Sequence, residues 1–203
     1  GNEGSLLYIV LVLSIISAIS VRFSPKKLAR SIPWTVAILA GVQLFYFFVL
    51  SFFANPFELL ETIPSEGRGI NPLLTHPGMF SHPPMLMGGL IAITIPFAFS
   101  SGALLAGDYG DNWVDVARIS AILGWGVLGA GMLLGAWWAY TILGWGGYWA
   151  WDPIENVALM PWLVMTAFVH SIMVQKRRGM FRMWNVALLN IAFVLAQLGM
   201  FIN

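Results

Sequence analysis

Apolar residues along this chain gather into six long runs, at 5–23, 33–53, 84–106, 116–140, 156–174 and 183–203, and most of the charge falls in the segments between them. Each run has roughly the 20 residues that span the hydrocarbon core of a bilayer. Backbone N–H and C=O groups in lipid find no water, so every such run must satisfy them internally and predicts a helix. The expected fold class is all-α: a polytopic membrane protein of about six transmembrane helices, a single domain over 1–203, whose site lies on outer-face loops. No repeat of fixed period and no low-complexity segment interrupts this plan.

Composition points the same way. Of 203 residues, 59% are hydrophobic and 9% charged, against about 25% charged in a soluble domain. A soluble chain this apolar could not cover its surface with polar groups, so a lipid membrane is its first expected partner. The net charge of +1, with ten Lys and Arg mostly in short connectors, leaves no footprint for nucleic acid. With no cysteine the chain forms no disulfide or thiolate metal site and offers no thiol nucleophile, so thiol chemistry must come from a partner. The chain opens Gly1-Asn2-Glu3-Gly4, without an initiator methionine or signal-peptide n-region, and reads as a piece of a longer protein.

The connectors set an orientation by their basic residues. Arg22, Lys26, Lys27 and Arg30 crowd the first, and Lys176, Arg177, Arg178 and Arg182 the fifth. The second, at 54–83, carries Glu58, Glu61 and Glu66 with the single base Arg68; the fourth, at 141–155, has no Lys or Arg. The third, with Asp108, Asp111 and Asp115, counts as neutral because acids weigh little in this rule. Connectors two and four therefore share the outer face, and both chain ends lie there too. Connector two is long for a loop, which marks it as functional or disordered.

Connector four and its flanks are crowded with tryptophan. Of ten in the chain, six fall between 137 and 162: Trp137, Trp138, Trp145, Trp149, Trp151 and Trp162. An aromatic belt at the headgroups accounts for one or two per helix end, not for Trp145-Gly146-Gly147-Tyr148-Trp149-Ala150-Trp151 within one loop. Indole faces suit a flat apolar ligand such as a porphyrin, and Gly144, Gly146 and Gly147 would let backbone approach it closely. The carboxylates of Asp152 and Glu155 invite an acid–base reading. Asp152-Pro153-Ile154-Glu155 is more simply an N-cap, a proline at N1 and an acid at N3, opening the fifth helix.

The run Trp145-Gly-Gly-Tyr-Trp-Ala-Trp-Asp-Pro-Ile-Glu-Asn-Val-Ala-Leu-Met-Pro-Trp-Leu163 resembles the tryptophan-rich WWD motif of haem-handling proteins. Its ending is most similar to CcmF-type cytochrome c haem lyases, rather than to the CcsA and CcmC branches. Glu3-Gly4-Ser5-Leu6-Leu7, Gly67-Arg68, Asn71-Pro72-Leu73-Leu74, His82-Pro83-Pro84 and His170-Ser171 extend the likeness over nearly the whole chain. The resemblance implies attachment of haem b to apocytochrome c, with thiol-reducing and haem-delivery partners. It implies that the WWD loop (Trp145, Gly146, Gly147, Trp149, Trp151, Asp152) and His82 hold haem on the outer face while cysteines of a C-x-x-C-H segment add to its vinyl groups. It implies that His170 ligates a second haem b within the membrane, and that the other axial ligands lie beyond residue 203. It further implies a bacterial cytoplasmic membrane with the loop on the periplasmic side; an organellar inner membrane is the alternative. His76 has no counterpart in the family pattern and is taken as an ordinary loop residue.

Imidazole is a usual axial ligand of haem iron, and two prolines after His82 are expected to hold it extended and stiff on its loop. His170 lies 14 residues beyond Asn156, about 21 Å along a helix, so one haem could not easily bridge both histidines and two sites are expected. An ionisable residue within a span is a functional candidate by default. Arg68 is a candidate partner for a haem propionate. Two other classes stay open: a haem transporter or delivery protein without lyase chemistry, and a structural membrane subunit. An ion-coupled transporter is hard to build, because the six spans hold no Asp, Glu or Lys.

Overall fold

Apolar runs that must bond their own backbone make helices, and their ends follow local chemistry. The computed structural model describes residues 2–59, 65–67, 69–72, 75–142 and 147–202. It has helices α1 (Asn2–Arg22), α2 (Ile32–Phe52), α3 (Pro77–Ala92), α4 (Thr94–Leu105), α5 (Val114–Ile142), α6 (Pro153–Arg178) and α7 (Arg182–Ile202). Together α3 and α4 make one span, so six helical segments are long and apolar enough to cross a membrane. The break at Ile93 has a cause in sequence: Pro96 lacks the N–H that would bond the carbonyl of Ala92.

The largest departure from expectation lies in the third span. It begins at Pro77, not at 84. His82, Pro83 and Pro84 are therefore helical rather than an extended end of the outer loop. Proline disfavours helix in the residue before it, but His76 caps α3 and Pro77 starts it at N1, where its missing N–H costs nothing. The helix then packs along α5, and packing outweighs the local preference.

That α3–α5 contact is a close seam. The helices run antiparallel, and small residues alternate across it so that backbones meet. A Cβ on Gly89 would fall 2.5 Å from Leu128 Cα, one on Gly131 would fall 2.7 Å from Leu86 N, and one on Gly78 would fall 2.9 Å from Trp138 Cβ. On the other side of α5, Trp125 and Trp162 of α6 stack at 5.3 Å between ring centroids. Trp125 donates to Thr166 Oγ1 (2.8 Å), and Trp162 donates to the carbonyl of Trp125 (3.2 Å). Leu90, Ile91, Phe99, Leu128, Met165, Phe168 and Leu189 form the dry centre. Outside it, Leu44, Phe45 and Phe52 of α2 and Leu133 of α5 are each 60% or more exposed, as suits side chains facing lipid rather than water.

At one end, charges from connectors one, three and five meet. Asp115 pairs with Lys176 (2.5 Å), Lys27 (3.8 Å) and Arg118 (3.9 Å), and Asp111 pairs with Arg182 (2.8 Å). Behind them Gln175 Nε2 donates to Asp111 (2.8 Å), and buried Asn185 Nδ2 donates to Gln175 Oε1 (2.7 Å). The acids that carried no orientation signal in sequence thus hold the two basic connectors together. The tryptophan loop is at the opposite end.

Candidate functional site

The loop at the tryptophan end is built backwards from the start of α6. Asp152, extended at the N-cap, accepts the N–H of Glu155 on its carboxylate (2.7 Å), and Pro153 follows at N1. Glu155 reaches back and accepts the N–H groups of both Ala150 (2.7 Å) and Trp151 (2.8 Å) on Oε2, while Asn156 Nδ2 donates to the Trp151 carbonyl (2.9 Å). These bonds clamp Trp151 at φ 58°, a conformation costing a bulky residue on the order of 1–3 kcal/mol. Trp151 is held 71% exposed, edge-on to Trp149 with centroids 6.1 Å apart. Tyr148 stacks on Tyr140 of α5 at 4.3 Å and ties the loop to that helix. Gly147 and Trp149 are half-buried.

This geometry predicts that Asp152→Ala loosens the loop by about 1 kcal/mol, as loss of an N-cap does. Glu155→Ala should loosen it more, since two N–H groups lose one shared acceptor. Amide hydrogen exchange over 147–156 checks both. Wild-type exchange over this stretch in both variants would contradict the capping role.

The histidines divide their ring nitrogens differently. Nδ1 of His76 accepts the N–H of Gly78 (3.0 Å), which leaves the proton of the neutral ring on Nε2, 3.3 Å from Thr141 Oγ1. His76 also lies against Trp137, centroids 4.6 Å apart. It is a cap and latch between α3 and α5, not the ordinary loop residue expected, and both its nitrogens are used. His82 sits on the second turn of α3, half-buried, with Nδ1 2.7 Å from the carbonyl of Gly131. A carbonyl only accepts, so Nδ1 carries the proton and Nε2 keeps its lone pair. Its ring lies 6.0 Å from that of Trp138.

His170 belongs to another place. Its Nδ1 donates to the Thr166 carbonyl (2.8 Å), and Nε2 of the neutral ring keeps its lone pair and bonds none of the described residues. It is exposed in a shallow groove with Ala167, Ser171, Val174, Phe181 and Trp184. Gly135, beside His82, and Trp125, beside Thr166, are separated by ten positions on α5, about 15 Å at 1.5 Å per residue. His170 lies a turn further on, so the two histidines are not brought together. Trp145, Gly146 and Arg68 lie outside the described residues. Sequence reasoning missed His76, Trp137, Trp138 and the α5 glycines; the spacing Gly124, Leu128, Gly131, Gly135, Trp138, one face of a helix, was the signal for the last.

Among the described residues, no three His, Asp or Glu converge as a bare metal ion requires. A lone histidine with a free Nε2 fits iron that brings its own equatorial ligands. Among the described residues the indole N–H groups of Trp138 and Trp149 are buried without an acceptor, a state that costs about 1–3 kcal/mol each and that a carboxylate such as a propionate would relieve. The residues present thus fit a haem.

Residues 1–203 match the family described as Cytochrome C assembly protein. The chain is 41% identical over 206 residues to the cytochrome c-type biogenesis protein CcmF of Pseudomonas fluorescens, covering 99% of this chain and 31% of that protein. It is 39% identical to CcmF of Escherichia coli (strain K12), with 99% and 31% covered, and 37% identical to that organism's probable cytochrome c-type biogenesis protein NrfE, with 98% and 36% covered. A solved structure of the cytochrome c heme lyase CcmF superposes with a TM-score of 0.84 at 36% identity, over 98% of this chain and 31% of that one. The chain thus spans about a third of the length of these relatives.

Proposed function

Because the chain belongs to the cytochrome c assembly protein family and is a polytopic membrane protein similar to a portion of its CcmF-type members, we propose that it forms the haem-handling part of a cytochrome c haem lyase. The observation carrying this reading is His82, whose Nδ1 is bonded to Gly131 of α5, the helix that precedes the tryptophan loop, and whose Nε2 bonds none of the described residues. In this proposal Nε2 of His82 would hold the iron of a haem b on the outer face. Trp149 and Trp151, with Trp145, supply indole faces that orient the macrocycle, and Gly146 and Gly147 let backbone approach it. Asp152 and Glu155 hold that wall in shape, and Arg68 pairs with a propionate.

When bound, haem b supplies the vinyl groups to which the cysteines of a C-x-x-C-H segment of apocytochrome c add. The chain's own contribution is position: a fixed axial nitrogen, a fixed haem face, and an open side where Trp151 is exposed. Having no cysteine, it leaves thiol reduction to a partner, and a haem-delivery partner loads the site. His170, whose Nε2 bonds none of the described residues, is assigned to a second haem b. Four bases crowd the first connector and four the fifth, which supports the tryptophan loop facing the periplasm in a bacterial inner membrane.

The test is a pyridine haemochrome assay and absorption spectrum on the full-length protein in detergent, with transfer to an apocytochrome c peptide followed by mass. Haem b should be present, a thioether product should form, and His170→Ala should lose a part of the absorbance while retaining the part that depends on His82. Haem without thioether product would leave a delivery protein; no haem in the intact protein would sink the reading altogether.

A further inference from the structure

The proposed ligand needs more than a histidine at position 82: something must choose which ring nitrogen faces outward and hold it there. The candidates are on α5. Gly131 offers its carbonyl to Nδ1 at 2.7 Å. Four residues on, a Cβ at Gly135 would stand 2.5 Å from Cε1, 2.7 Å from Nδ1 and 3.1 Å from Nε2 of the same ring. Real carbon atoms do not approach so closely, so the imidazole lies against the bare backbone of α5 in a notch that only glycine leaves open. Trp138, the next residue on that face, stands 6.0 Å away, centroid to centroid.

We propose that Gly135 and the Gly131 carbonyl form a positioning seat that fixes the tautomer and direction of His82, with Gly135 the residue that makes the seat possible. This rests on the reading of His82 as a haem ligand. A methyl group at 135 would push the ring off α5, and the Nδ1–H···O bond would be lost with the movement. Both nitrogens would then be free to carry the proton, and a fraction of rings would present N–H where a lone pair is needed. The ligand is still present; its orientation and basicity are not, as when the outer partner of any metal-bound histidine is removed.

The seat makes a prediction of sign that does not depend on haem. Alanine is a better helix former than glycine, so Gly135→Ala ought to stabilise α5 unless something occupies the space. Thermal unfolding of the full-length haem-free protein is measured for wild type, Gly135→Ala, His82→Ala and the double variant, as a mutant cycle. The expected result is that Gly135→Ala lowers the midpoint when His82 is present and raises it when His82 is alanine. Should Gly135→Ala alone fail to accumulate, recovery in the double variant gives the same answer.

In parallel, haem titration followed at the Soret band should show affinity in Gly135→Ala reduced about 10- to 100-fold, the range for lost outer-sphere partners. Wild-type affinity in Gly135→Ala, or a midpoint change of the same sign in both backgrounds, overturns the seat while leaving the haem reading intact. Unchanged haem binding in His82→Ala overturns the haem reading, and the haem-free cycle still decides whether the seat exists.

Discussion

Replacing His82 by alanine is expected to remove haem from the outer site while leaving the bundle folded. The ring is half-buried and engaged through Nδ1 alone, and no described neighbour can take over. His76, six residues earlier on the same edge, spends Nδ1 on the N–H of Gly78 and directs Nε2 to Thr141. It cannot ligate without uncapping α3. Affinity should fall by more than the 10- to 100-fold that outer-sphere changes cost, and added imidazole should restore part of it by entering the space the ring leaves. Stability should change by only about 1 kcal/mol, the net worth of one hydrogen bond, because the Gly131 carbonyl still lies within its own helix. Soret titration and thermal unfolding on one preparation separate these effects. Full haem retention would mean that the axial ligand is elsewhere.

Gly89→Val should be the most damaging single change in the bundle. A Cβ there would lie 2.5 to 2.6 Å from Cα, Cβ and N of Leu128. These are mostly backbone atoms, so no rotamer change relieves the clash and α3 must move bodily off α5. Overpacking costs about 1–3 kcal/mol, and more where backbone must move, a large share of the ~5–15 kcal/mol that holds a typical domain together. The same seam carries His82 and Gly135, so haem should be lost together with stability. Gly88→Ala is the control: its Cβ meets only the hydroxyl of Tyr8, at 3.5 Å, and the change should gain about 1 kcal/mol of helix propensity. Membrane yield, thermal midpoint and haem content of the two variants provide the comparison. Equal behaviour of Gly89→Val and Gly88→Ala would show that the close seam is not required.

The six spans and the start of α6 could be read in advance because both are local properties. A run of about 20 apolar residues has one way to satisfy its backbone in lipid, and Asp152, Pro153 and Glu155 set a helix start through bonds to their immediate neighbours. The likeness of the tryptophan run to a family motif was legible for the same reason, since it is contiguous in sequence. His82 was a site candidate on residue type, yet its surroundings were misjudged. Two following prolines argue for extended backbone when only neighbours are considered. A helix capped by His76 and laid against the α5 glycines prevails once contacts across the bundle are counted.

The sequence by itself thus determined that this chain is a membrane bundle with an aromatic loop, because hydrophobic length, caps and motif are written in consecutive residues. Only the tertiary structure decided that His82 offers Nε2 while His76 offers nothing, and that His170 stands apart from both. It also decided that acids at 111 and 115 bind the two basic connectors. The His82 bond and the ion pairs depend on what a second helix brings to within 3 or 4 Å, and distances between residues 49 or 61 positions apart have no local signature.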